Sequence, residues 1–122
     1  MAAKRLFTVN GLVAITAFGI CTTDVTGTGS IQLGIGDSTN VLIASTTGTA
    51  IDNGELWDDA IVTRSYDTMS DTVPLWLIAY NDHVVYEVTG NTLTGGVVTF
   101  YCLWEPISDH ATVQSAGVNA AA

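Results

Sequence analysis

Positive charge is what this sequence has least of. Three of its 122 residues are Lys or Arg, against twelve Asp or Glu, giving a formal net charge of −9. Neutralising a nucleic-acid backbone takes clustered Lys and Arg, and so does attraction to an anionic membrane, so neither is an electrostatic partner. Charge of either sign is scarce, at 12% of residues. A bilayer-spanning helix is not expected either. The longest strongly apolar stretch, residues 12–21, is about half of the roughly 20 residues a bilayer needs. No apolar repeat of helical period runs for ten residues, and there is no internal repeat or interdomain linker.

What is present is a chain of 48% hydrophobic residues with eighteen threonines. Disorder is excluded by that content, because disordered chains are poor in β-branched and aromatic residues. Short apolar runs alternate with Gly, Asn, Asp and Ser clusters, the pattern of short strands at regular spacing. The runs are residues 5–9, 12–22, 30–36, 41–46, 73–80, 83–89 and 97–105, with a short edge piece at 49–51. Asn10-Gly11 marks a hairpin or a bend, because that pair tolerates positive φ. Residues 12–22 are apolar on both parities, which predicts a strand covered on both faces or kinked at Gly19. Residues 54–61 could make one or two helical turns.

Eight or so strands in about 100 residues predict an all-β, single-domain antiparallel β-sandwich, jelly-roll or Ig-like, with little or no helix. A closed barrel is the alternative. The expected organisation is an N-terminal arm at residues 1–4, the sandwich at 5–107 and a flexible C-terminal tail at 108–122. Met1 to Arg5 places two basic residues before an apolar segment, but Thr8, Asn10 and Gly11 interrupt it, so it reads as the start of a soluble chain rather than a signal peptide.

Candidates for chemistry are few. Six of the twelve acidic residues fall between Asp52 and Asp71. Asp52-Asn53-Gly54-Glu55 has the look of a calcium loop but lacks the alternating ligands and the closing Glu, where Thr63 stands. A solvated acidic loop is the simpler reading. An enzyme would need an acidic cleft around Asp58 and Asp59. Arg64, the one basic residue after position 5, is suited to an ion pair within the chain or across a subunit contact. His83 and His110 each follow an Asp in a turn or near the tail, outside any metal motif. Cys21 and Cys102 each lie inside an apolar run, as buried free thiols do; a disulfide between them is the other reading. No catalytic residue, cofactor or metal site is expected.

The aromatics say more. Trp104 shares a strand face with Val98, Phe100 and Cys102, which predicts core packing. Trp57 sits in the acidic stretch and Trp76 on a strand apolar on both faces. An interface anchor is the favoured reading for both, with carbohydrate binding as the alternative. With Lys4, Arg5, Asp58, Asp59 and Arg64, they form the candidate interface set.

Several segments together resemble small virion proteins of tailed bacteriophages. These are Leu6-Phe7-Thr8-Val9-Asn10-Gly11, Phe18-Gly19-Ile20-Cys21, Leu42-Ile43-Ala44-Ser45-Thr46-Thr47, Ile51-Asp52-Asn53-Gly54-Glu55-Leu56-Trp57, and Phe100 through Ser108. The resemblance implies a head decoration (cement) protein. Such a protein binds the major capsid protein on the outer surface of the shell, associates with itself, often as a homotrimer, and stabilises the head without catalysis. It would be assembled in the host cytoplasm. A glycan-gripping tail or receptor-binding component, and a tail-tube or neck protein, are the alternatives. The charge asymmetry further suggests that Lys4 and Arg5 reach an acidic neighbour.

Overall fold

The computed structural model describes residues 3–59 and 76–115. Among them the strands are β1 (Lys4–Asn10), β2 (Leu12–Gly27), β3 (Ser30–Ile35), β4 (Ser38–Thr47), β5 (Leu56–Trp57), β6 (Leu77–Tyr80), β7 (His83–Thr89), β8 (Leu93–Pro106) and β9 (Thr112–Ser115). They form an antiparallel β-sandwich. One sheet runs β4-β3-β7-β1-β9. The other is built on β2, with β8 along one edge and β5 and β6 sharing the other. No described strand pairs across the two sheets, so the barrel alternative is not the architecture.

The chain changes sheets repeatedly, and the turn chemistry shows how. Asn10-Gly11 is a corner, not a hairpin: β1 ends in the first sheet and β2 begins in the second. Gly11 has φ +79°, and a Cβ there would lie 2.9 Å from Ser108 Oγ and 3.0 Å from the Ala111 Cβ, so the position needs both the left-handed backbone and the missing side chain. A second corner, Asn81-Asp82, carries β6 into β7 and lies against the first. The Gly11 N–H donates to Asn81 Oδ1 at 2.7 Å, and the Asn81 N–H returns a bond to the Gly11 carbonyl at 3.2 Å. The third crossing at this end, from β8 to β9, is tied in by the Leu12 N–H donating to Ser108 Oγ at 2.9 Å. Three chain reversals thus satisfy one another's backbone groups where no ladder can.

Between the sheets lie Val9, Val13, Ile15, Leu33, Ile43, Ile51, Val84 and Trp57, all essentially sealed from solvent. Each such side chain contributes about 1.5–3 kcal/mol of burial energy. The alternation read from the sequence holds on β3, where Ile31 and Leu33 face inward, and on β7, where Val84, Tyr86 and Val88 do.

Several local expectations are corrected. Residues 49–51 are no edge strand: Gly48–Ala50 is a single 3-10 turn. The helix considered at 54–61 does not form over its described part, where Leu56–Trp57 pairs with Gly19 and Ile20. β2 does not break at Gly19; its irregularities in pairing with β8 fall between Cys21 and Gly27. The tail expected from residue 108 contains a strand, because Thr112–Ser115 pairs with Phe7 to Asn10. Lys4 belongs to β1 rather than to an arm, in register with Tyr86.

Candidate functional site

Of the described candidates, Trp57, Asp58, Asp59 and Trp76 lie along one side of β2, since Trp57 pairs with Gly19 and Leu77 with Ile15, whereas Lys4 and Arg5 belong to the other sheet. Lys4 and Arg5 are exposed at the start of β1, opposite Tyr86 and Val85 on β7. Trp57 is 0% exposed. β5 lays its ring inward, where the indole Nε1–H donates to Thr46 Oγ1 at 2.9 Å and the ring meets Phe100 edge-on at 6.1 Å. The interface role expected of Trp57 is therefore corrected: this side chain joins the two sheets. Asp58 and Asp59 follow it and are half-buried, each with an interaction partner. Arg64 lies outside the described residues. Trp76 is exposed at 43%, immediately before β6.

Among the described residues no three His, Cys, Asp or Glu side chains cluster in a way that could hold a metal ion. His83 Nδ1 lies 3.3 Å from Thr8 Oγ1, on neighbouring strands. Cys21 is buried and Cys102 half-buried, and both are free thiols. Ala17 is the partner of Cys102 and Val98 that of Cys21, so the two sulfurs lie four residues apart along the ladder, about 13 Å, too far for a bond. Burial pushes the Cys102 thiol up to about 11. The Cys21 thiol is also raised, chiefly by burial. Neither is poised as a nucleophile, which needs a lowered pKa. A cavity of about 250 Å³ lies between the sheets, lined by Val25, Ile31, Tyr86, Val88, Leu93, Val98 and Phe100 with Thr94 and two glycines. Among the described residues, no carboxylate, imidazole or thiol borders it.

What the structure does bring together is an outer surface that sequence parity left unassigned. The outward face of the second sheet is set by register. Ala14 is opposite Ile78 and Glu105, Leu12 opposite Tyr80, Thr16 opposite Leu103, and Phe18 opposite Tyr101. The Phe18 and Tyr101 rings stack at 5.6 Å. Ile78 and Tyr80 are each 65% exposed and Leu103 is 49% exposed. Among the register partners on this face, Glu105 is the one charged residue. Trp104, expected in the core, keeps its inward parity opposite Ile15 but is partly exposed, because β8 lies at the rim of the sheet. The sequence signal of this face is the double apolar parity of residues 12–22 and 97–104, which does not say by itself which parity is inside. One parity fills the core and the other covers this face.

The class that these features define is an antiparallel β-sandwich with one apolar outer face. No helix of the described residues is long and apolar enough to cross a membrane. No family model, curated protein or solved structure matches the chain.

Proposed function

We propose that this chain is a non-enzymatic structural protein of a phage particle, a head decoration or cement protein that binds the outside of the capsid shell through protein–protein contacts. The observation that carries the reading is the apolar outer face of the second sheet, where Ile78, Tyr80 and Leu103 stand in solvent on a chain otherwise kept soluble by carboxylates. Apolar patches of this kind mark protein–protein or membrane contacts. A small sandwich with such a face suits lateral packing on a lattice, where repeated weak contacts add by avidity. The resemblance of its segments to phage virion proteins supplies the partner, the major capsid protein.

The glycan-binding alternative required Trp57 and Trp76 side by side on one exposed face. With Trp57 sealed inside, that pair does not exist.

The test is binding of the purified chain to phage heads that lack it. Stoichiometric occupancy, with heads that resist disruption at lower ionic strength than undecorated heads, supports the proposal. No binding at micromolar concentration overturns it.

A further inference from the structure

Among the described residues, strand β8 has an open side. Its fourteen residues extend about 46 Å, and β2 takes one edge of that length; no described strand is bonded to the other. Natural sheets blunt such edges with short strands, charge or proline, because a row of unpaired N–H and C=O groups templates pairing with another chain. From Val97 to Trp104 there is neither charge nor proline; Glu105 and Pro106 follow only at the end. The edge is undefended from residue 97 to 104, most of the stretch over which its pairing with β2 is regular.

We infer that the occupant of this edge is a second copy of the chain, with β8 pairing antiparallel to β8 about a two-fold axis beside Phe100 and Tyr101. This deepens the proposed function, since it names how the structural unit associates with itself. It replaces the trimer implied by resemblance with a two-fold pair.

Charge favours a copy over another partner. A partner chosen by attraction to a −9 chain would be basic, and this stretch offers it no carboxylate before Glu105. In the two-fold arrangement each Glu105 lies opposite residues 95–97 of the other chain, and the two carboxylates are about 30 Å apart. Asp58 and Asp59 directly follow β5, which lies on the far side of β2. Five strand spacings separate them from their counterparts, about 24 Å, several times the screening length of about 8 Å in physiological salt. Two strongly acidic chains thus meet along their least charged line.

Area points the same way. Val97, Tyr101, Leu103, Trp104 and Ile107 are each between one-third and just over one-half exposed. With aromatic side chains presenting roughly 150–250 Å² and the aliphatic ones somewhat less, they leave on the order of 400 Å² of surface along this rim. A standard interface takes about 800 Å² from each partner, somewhat over half of it apolar. Edge pairing covers part of this rim and adds main-chain bonds along the two strands. Joining the two rims makes the two outer faces one continuous surface, with Ile78 and Tyr80 at its far margins.

The experiment is sedimentation equilibrium of the full chain from about 1 to 500 μM, on the wild type, Leu103→Lys and Ile78→Lys, with amide hydrogen exchange on the same samples. Both substituted side chains are solvent-exposed within the single chain, so circular dichroism should be unchanged in either variant. The wild type should reach about 26 kDa, twice the chain mass of 12.8 kDa. Its alternate amides between residues 97 and 104 should gain protection with concentration. Leu103→Lys should weaken the dimer by roughly 30-fold or more, as loss of a hot-spot side chain does, while Ile78→Lys leaves it intact. A mass of 12.8 kDa throughout, a trimer mass, or a dimer insensitive to Leu103→Lys overturns the inference. A monomer that still decorates heads removes the dimer and keeps the function; a dimer that does not bind heads removes the function and keeps the dimer.

Discussion

The indole Nε1–H of Trp57 donates to Thr46 Oγ1 at 2.9 Å, and Thr46 in turn donates to the Ala44 carbonyl at 2.9 Å. Trp57 belongs to one sheet and Thr46 to the other, so this two-step chain is a polar tie through an apolar core. Thr46→Val keeps the shape and leaves the indole donor unpaired. It should cost about 1–3 kcal/mol, read as a lower urea midpoint with an unchanged slope. Trp57→Ala opens a large cavity as well and should cost about 3–5 kcal/mol.

Gly34 on β3 is a place where two backbones nearly touch. A Cβ there would lie 2.0 Å from the Ser38 carbonyl oxygen and 2.4 Å from the Thr39 carbonyl carbon. These are main-chain atoms of β4, which cannot rotate away. Gly34→Ala should force the β3–β4 hairpin apart and lower stability by more than the 1–3 kcal/mol usual for overpacking. Thermal unfolding followed by circular dichroism checks this.

The thiols make stability fall in alkaline solution. Burial raises Cys102 from 9.0 to about 11, and Cys21 is raised as well. The folded chain therefore holds its thiol protons more tightly than the unfolded chain. Below about pH 8 both states are protonated and stability does not change from this source. Between about pH 9 and 11 the unfolded thiols ionise first, so stability declines as pH rises. Tyr86, raised by burial, adds to the decline at still higher pH. Urea midpoints at pH 7.5 and 10.5 should differ in that direction, and Cys102→Ala should reduce the difference. Folded protein should also react slowly with a thiol reagent at neutral pH, and quickly in denaturant.

Lys4 and Arg5 are held by β1 with their side chains exposed. Reversing both to Glu should leave stability within about 0.5 kcal/mol, as surface changes do. If they reach an acidic surface of the shell, the same variant should lower occupancy on phage heads, most clearly at low salt. Unchanged occupancy removes them from the contact.

Strand character and the two-layer class were legible because alternation is a local property. Ile31 and Leu33, or Val84, Tyr86 and Val88, reveal their buried face within a few residues. The sheet to which each strand belongs was not, because register and partner are set by contacts far along the chain. Asn10-Gly11 announces a reversal, yet nothing in the pair distinguishes a hairpin from a crossing between sheets; the bonds from Asn81 and Ser108 do. Trp57 illustrates the same limit. Its neighbours Glu55, Asp58 and Asp59 suggest a surface loop, and only the two-residue pairing with Gly19 and Ile20 turns the ring inward. β9 was missed because four residues with one apolar member, Val113, are too few to show a period. The outer face was visible as apolar parity, but a sequence does not say which parity is inside.

The most direct test is where the chain sits in an assembled particle. A reconstruction of virions that contain it should place the sandwich on the outside of the head shell, with the β2–β8 sheet in contact with protein rather than with solvent. Density for the chain in the tail or neck, or on the shell with that sheet facing outward into solvent, would contradict it.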